Sequence, residues 1–258
     1  MKVIFLAAGQ GTRLRPLTDD RPKCMVPFLG KPLIERDIET LRLCGVNDIL
    51  VIGGYRAEKL EGLGVEIVLN PRFETTNMVQ TLFSARAHFP TDTGLIISYG
   101  DIVYQPPLVR ALIESDAPVS VVIDKDWRDL WERRFDDPLS DAETLRLDET
   151  GRLIEIGRKP KSYDEIEGQY IGLIKIRRDH IPVMCDLFDR LDRSATYDGQ
   201  SFDNMYMTTF IQRMIDTGLD VRAVPVHGGW FEIDSVEDLN VYEEWQRSGT
   251  MGNRAVAD

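Results

Sequence analysis

Apolar residues along this chain fall in short blocks separated by segments with helical spacing. Residues 3–6, 48–53 (DILVIG), 65–69, 94–99 (GLIISY) and 119–123 (VSVVI) read as buried strands. Between them, residues 31–43 set Ile34, Ile38 and Leu41 on one helical face, and Gly45 follows as a stop. Residues 78–88 and 108–114 read as further helices. Strands that alternate with helices predict βαβ units in an α/β fold: a mixed, mostly parallel sheet flanked by helices. Ligands of such sheets lie beyond the carboxyl ends of the strands.

The pattern changes near Asp124. Residues 125–140 (KDWRDLWERRFDDPLS) are charged and aromatic without a clean period. Residues 143–147 and 152–156 read as a hairpin around Glu149-Thr150-Gly151, and residues 169–176 as a strand. Helices are expected at 182–191 and 203–217, then a strand at 221–226 before the segment 230–234. A last helix begins after Ser235, an N-cap with Asp238 at the third helical position, close to a capping box. Residues 249–258 read as a frayed tail. With no repeat and no linker-like composition, residues 1–258 are expected to form a single domain.

The net charge of −12, from 31 basic and 43 acidic residues, argues against a general nucleic-acid binder, which needs a basic footprint. Any anion site must then be locally basic on an acidic background. Cys24, Cys44 and Cys185 lack metal-ligand spacing and read as reduced thiols of a cytoplasmic protein. No secretory apolar region and no run of about twenty apolar residues is present, so no membrane partner is expected.

Chemistry concentrates first at Ala7-Ala8-Gly9-Gln10-Gly11-Thr12-Arg13, a small-residue loop that leaves the first strand. Glycines admit close anion approach by backbone N–H groups, and Arg13 and Lys23 add mobile positive charge, so a polyphosphate is the expected occupant. The dinucleotide fingerprint fails because its third glycine position holds Leu14, and no P-loop string occurs. Asp101 closes the strand GLIISYGD at the ligand edge, where a carboxylate can hold Mg2+ beside phosphate oxygens. Glu232 and Asp234 alternate with Phe231 and Ile233, so both carboxylates share one face and repel unless a cation lies between them. The residues alone reach a Mg2+-dependent transfer of a nucleotidyl group to a phosphate.

The segment VIFLAAGQGTRLRPLTDDRPK resembles the signature of sugar-nucleotide pyrophosphorylase-type nucleotidyltransferases, filled here by Leu6, Ala7, Ala8, Gly9, Gly11, Thr12, Arg13, Leu14, Pro16, Leu17, Thr18, Pro22 and Lys23. The resemblance implies a Rossmann-like, GT-A-like fold with a nucleotide-binding half (1–124) and an acceptor-binding half (125–248). It also implies that the loop wraps the NTP phosphates, Arg13 neutralises the leaving pyrophosphate and Lys23 contacts the reacting phosphate. The string EIDS before a helix resembles the metal-ligand segment of phosphocholine-type cytidylyltransferases, which implies Asp101 and Asp234 as primary Mg2+ ligands and Glu232 as a third. In the same enzymes an N-x-x-x-S/T segment reads the base, a role carried to Asn77 and Thr81. An E-x-K-P-like segment implies that Lys159 grips the acceptor phosphate, although an extra residue lets the match slip to Arg158. Trp127, Trp131, Met205 and Tyr206 could line an acceptor pocket; aromatic rings suit a quaternary ammonium, whereas Arg133 and Arg134 suit a carboxylate.

The strings SYGDIVY, KDWRDLW, PLSDAETL, YIGLIKI and FDNMYMTTFIQ most resemble the branch of these enzymes that activates phosphoglutamine for capsule phosphoramidate synthesis. That implies CTP and a small phosphorylated acceptor as partners, with L-glutamine phosphate favoured. Phosphocholine, a phosphonate or a sugar 1-phosphate stays open as acceptor, as does a non-catalytic nucleotide sensor. A homodimer would be unsurprising.

Overall fold

The computed structural model describes residues 1–254. Seven strands form the central sheet: β1 (Lys2–Ala7), β2 (Asp48–Gly53), β3 (Glu66–Leu69), β4 (Leu95–Tyr99), β5 (Val119–Asp124), β6 (Gln169–Ile176) and β7 (Val221–Val226). Their order is β3-β2-β1-β4-β6-β5-β7, and only β6 runs antiparallel to its neighbours. Every strand expected for the central sheet is one, within a residue at either end, and the expected hairpin forms from Leu145–Leu147 and Leu153–Ile156, its first strand starting two residues late.

Successive side chains of a strand point to opposite faces, and here both faces are dry. Val3 and Phe5 of β1 face one core with α1 (Leu33–Leu43), α3 (Pro106–Glu114), α4 (Trp127–Arg134) and α7 (Val236–Ser248). Ile4 and Leu6 face the other with α2 (Met78–Ser84), α5 (Ile181–Arg190) and α6 (Met207–Asp216). Only the edge strand β3 has exposed ends and half-buried middle positions.

Beyond the carboxyl end of β4, the chain turns at Gly100-Asp101 into a short strand, Ile102–Tyr104, that pairs antiparallel with Trp230–Glu232. The pairing places Glu232 opposite Ile102, and Ile233 N–H donates to the Asp101 carbonyl at 2.9 Å. Two segments more than a hundred residues apart thus meet at the ligand edge. The ribbon is pinned by Asp124 at the end of β5, which accepts from Trp230 Nε1 and Gly228 N, each at 2.9 Å.

Several expectations are corrected. The stretch 125–140 contains α4: Trp127, Leu130 and Trp131 are buried at i, i+3 and i+4, a face too short to stand out among its charges. The helix expected over 78–88 ends at Ser84 and continues as a 3-10 turn. α6 starts at Met207 rather than Asp203, because Phe202–Asn204 forms a separate turn whose Asp203 carbonyl accepts from Asn77 N at 3.0 Å. The tail expected to fray folds back instead. Met251 is buried, and Arg254 donates to Asp124 Oδ2 at 3.0 Å and to the Asp126 carbonyl at 2.6 Å. The rest of that tail, 255–258, lies outside the described residues. Among the described residues no helix is long and apolar enough to cross a membrane.

Asp124 is fully buried and answers Arg254, Trp230 and Gly228 together. Asp124→Ala should therefore lower the unfolding free energy by roughly 3–5 kcal/mol, the cost of breaking a buried ion pair from one side. Urea denaturation measures it, and a loss below about 1 kcal/mol would contradict this account of the ribbon.

Candidate active site

The loop after β1 is shaped from three directions. Gly11 adopts a left-handed φ of 69°, and a Cβ there would meet Lys23 Cβ at 2.8 Å, so the loop can pass Lys23 only as glycine. Thr18 Oγ1 donates to the Gly11 carbonyl at 2.9 Å, and Tyr55 N–H to the Ala8 carbonyl at 3.0 Å. Leu6, Ala7, Ala8, Gly9 and Gly11 line a cavity of about 240 Å³ with Lys23, Asp101, Asn77 and Thr81. Thr12 opens the 3-10 turn that follows and lies outside the lining.

Asn77 combines both roles weighed for it. Its side-chain oxygen caps α2 by accepting from Met78 N at 2.8 Å, and the residue still borders the cavity. Thr81 is buried and accepts from Asn70 Nδ2 at 3.0 Å. Cys24 also lines the cavity, but burial pushes its thiol up to about 12, so it stays protonated and unreactive.

At the mouth, one oxygen from each of Asp101, Glu232 and Asp234 lies within 4.8 Å of the others. At an effective dielectric of about 20, each such pair repels by roughly 3 kcal/mol. Cations offset this. Lys23 Nζ donates to Asp101 Oδ2 at 2.7 Å and also to Asp234 Oδ1, while Arg13 Nη2 lies 2.8 Å from Asp234 Oδ2. Burial alone would depress the Lys23 ammonium, but Asp101, Asp234 and Glu232 together hold it charged, above the usual lysine range. Burial likewise raises Asp234, yet Lys23, Arg13 and Arg134 bring it below the usual range. Glu232 is pushed up to about 7, chiefly by burial, against the pull of Arg134.

Among the described residues, Asp101 Oδ1 is buried with no hydrogen-bond partner. An orphaned carboxylate oxygen beside two further carboxylates is a donor set suited to a hard divalent cation, which takes oxygen ligands. All three expected metal residues are therefore brought together.

Arg134 has a role that the sequence did not announce. Its side chain is 1% exposed and donates to Glu232 Oε2 at 2.6 Å and to Asp238 Oδ1 at 2.9 Å. Asp238 in turn accepts from the backbone N–H groups of Asp234 and Ser235, each at 2.9 Å, completing the capping box of α7. Arg134 thus fixes the acidic segment and is not free to meet an acceptor carboxylate.

A second cavity of about 190 Å³ adjoins the first through Met78 and Tyr99 and reaches Glu232. Of the expected acceptor residues, Tyr206 lines it, as does Trp131. The others stand elsewhere, and Met205 is fully buried in the core. Trp127 is buried against Trp131 and Tyr163. Arg133 lies over the Trp245 ring, 4.1 Å from its centroid. Lys159 donates to the Leu139 and Ser140 carbonyls, holding the turn there, and Arg158 pairs with Glu155 at 3.4 Å. The residues that sequence reasoning missed are Asp141, Glu143 and Tyr170. Their signal was confined to the strings PLSDAETL and YIGLIKI, which carry no period to point at a pocket. Gly172, at a φ of 89°, lets β6 bulge against the Tyr99 ring, where a Cβ would come within 2.7 Å.

Residues 3–156 match the MobA-like NTP transferase domain. The chain belongs to this family. It is 43% identical over 253 residues to the CTP:phosphoglutamine cytidylyltransferase of Campylobacter jejuni, covering 95% of this chain and 100% of that one. It superposes on the CTP:phosphocholine cytidylyltransferase LicC of Streptococcus pneumoniae with a TM-score of 0.70 at 26% identity, covering 95% of this chain and 98% of LicC. The inositol-1-phosphate CTP transferase of T. maritima matches with a TM-score of 0.74 at 23% identity over 99% of this chain and 98% of that one, a likeness of fold. The family, the nucleotidyltransferase fold and the enzyme class implied by the loop motif are thus those found.

Glu143 offers a pH test of the second cavity. Burial, with Asp141 nearby, raises its carboxyl to about 7 from 4.5, against a weak hydrogen bond from Thr208. A raised folded-state value means that the native protein keeps a proton which the unfolded chain releases. Its stabilising contribution is full below the unfolded value and lost as pH rises through about 7. Urea unfolding between about pH 5 and 8 should show a smaller loss of stability in Glu143→Gln than in wild type. Equal slopes would contradict the burial of Glu143.

Proposed function

We propose that this protein transfers CMP from CTP to a small phosphorylated acceptor, with release of pyrophosphate. The observation that carries the reading is the convergence of Lys23, Arg13, Asp101 and Asp234 in one charged cluster, whose Lys23 and Asp101 line the first cavity and whose neighbour Glu232 lines the second. The first cavity would take the nucleotide and the second the acceptor, with the acidic cluster bordering both through Asp101 and Glu232.

An acceptor phosphate oxygen attacks the α-phosphorus of CTP; that P–O bond forms as the bond to the β-phosphate oxygen breaks. No protein nucleophile is required, and the protein contributes positioning and charge neutralisation. The loop from Ala7 to Gly11 holds the triphosphate against backbone N–H groups. Lys23 stabilises charge developing on the α-phosphoryl oxygens, and Arg13, which is largely exposed and paired with Asp234, neutralises the departing pyrophosphate. Mg2+ held by Asp101, Asp234 and Glu232 would supply Lewis-acid neutralisation of the phosphoryl oxygens. Asn77 and Thr81 border the cavity where a cytosine would lie.

The favoured acceptor is L-glutamine phosphate, because the likeness to the Campylobacter jejuni enzyme runs the full length of that protein. The product would feed cell-surface polysaccharide synthesis, in the cytoplasm where CTP is made.

Lys23→Ala should reduce kcat by on the order of 10²-fold or more, as the loss of one preorganised charge donor does elsewhere. The assay is pyrophosphate release from each of the four NTPs with a panel of phosphorylated acceptors. Near-normal turnover by Lys23→Ala would remove that role, and turnover with another NTP alone would overturn CTP.

A further inference from the structure

Asn70 is a buried polar side chain to which the transfer chemistry gives no task. It follows β3 directly, is 3% exposed and lines neither cavity. Its backbone N–H donates to the Gly53 carbonyl, at the end of β2, at 2.8 Å, which fixes the residue against the sheet. Its amide is fixed as well. The Arg72 backbone N–H, which can only donate, meets Asn70 Oδ1 at 3.0 Å. The amide oxygen therefore faces Arg72, and Nδ2 directs its two hydrogens to Thr76 Oγ1 and Thr81 Oγ1, each at 3.0 Å.

The two threonines respond differently. Thr76 donates its own proton to the Arg72 carbonyl at 2.8 Å. Thr81 accepts from Asn70, and among the described residues its hydroxyl has no acceptor for the proton it still carries. Thr81 is buried and lines the nucleotide cavity, so the cavity is where that proton finds a partner. One turn earlier, at the N-cap of α2, the Asn77 side-chain oxygen accepts from Met78 N and one Nδ2 hydrogen turns to the Asn204 carbonyl at 3.5 Å. Its remaining N–H is a second donor beside the same cavity.

We infer that Asn70 is a specificity-determining positioning residue, which makes Thr81 a one-way hydrogen-bond donor and so selects cytosine over uracil. The inference rests on the cytidylyl-transfer reading, in which the base lies against Asn77 and Thr81. It adds how that wall tells apart two pyrimidines of nearly one shape. Cytosine presents two adjacent acceptors, N3 and O2. Uracil carries a proton on N3, which would meet the Thr81 proton and leave two buried donors unpaired. A threonine free to rotate would suit either base, because a hydroxyl donates or accepts as its partner requires. The Asn70 amide removes that freedom.

The test is calorimetric affinity for CTP and for UTP, each with Mg2+, together with kcat/KM for both nucleotides with L-glutamine phosphate. Wild type should favour CTP by roughly 10–100-fold, the scale of leaving a buried donor unpaired. Asn70→Ala and Thr81→Val should each lose most of that preference. The double variant should lose no more than either alone, since both act through one hydroxyl. Thr81→Ser, which keeps the hydroxyl, should retain it. Asn70→Asp, which puts an acceptor where the amide donates, should move the preference toward UTP. That variant is nearly isosteric and keeps the contact with Arg72, so it reports even where Asn70→Ala fails to fold. Equal affinity of wild type for the two nucleotides would overturn the inference. So would a preference that neither Asn70→Asp nor Thr81→Val disturbs, which would put the Thr81 proton on O2, an acceptor that both bases share. CTP-selective binding that these variants erase, without pyrophosphate release, would support the inference and overturn cytidylyl transfer instead.

Discussion

Three carboxylates crowded at one edge of a sheet form the constraint on which the rest of this structure depends. Asp101, Glu232 and Asp234 lie within 4.8 Å of one another, each only partly exposed to water. Side by side they repel, and the fold holds them there by surrounding them with guanidinium and ammonium groups. Lys23 reaches in from the nucleotide loop and Arg134 from beneath. The α7 capping box fixes the backbone of the acidic segment through Asp238. The ribbon between Ile102–Tyr104 and Trp230–Glu232 sets the spacing. An arrangement so dependent on positive charge suits a reaction whose substrates and metal change the local charge.

The two cavities follow from the same junction. β1 and β4 are parallel neighbours, so their carboxyl ends deliver the phosphate loop and Asp101 to one place. β6 is the single antiparallel strand of the central sheet, and its bulge at Gly172 turns Tyr170 toward the space beside Tyr99. One cavity is thus built largely from the first half of the chain and the other from the second, with Met78 and Tyr99 shared.

Much of this was legible in the sequence. The strands announce themselves because both faces of the sheet are buried, and continuous apolar runs need no period to be recognised. The loop motif and the EIDS segment were legible because their residues are consecutive, and close spacing in the chain imposes proximity in space. What escaped reading depends on contacts between distant segments. Arg134 looks like any surface arginine of a charged stretch until α4 folds and buries it against α7. Lys159 and Arg133 carry suitable charge, yet the backbone aims them at carbonyls and at an indole ring. Asp141 and Glu143 become a pocket wall only when the loop before the hairpin docks on Gln169.

In the proposed reaction Asp101 and Asp234 hold a divalent cation alongside CTP. Mn2+, a spectroscopic stand-in for Mg2+, can be titrated by electron paramagnetic resonance against wild type, Asp101→Asn and Asp234→Asn, each with CTP present. The account predicts a bound ion in wild type and its loss in both variants, with their far-ultraviolet circular dichroism unchanged. Mn2+ bound equally by all three proteins would contradict it, and would leave the acidic cluster as a partner for Lys23, Arg13 and Arg134.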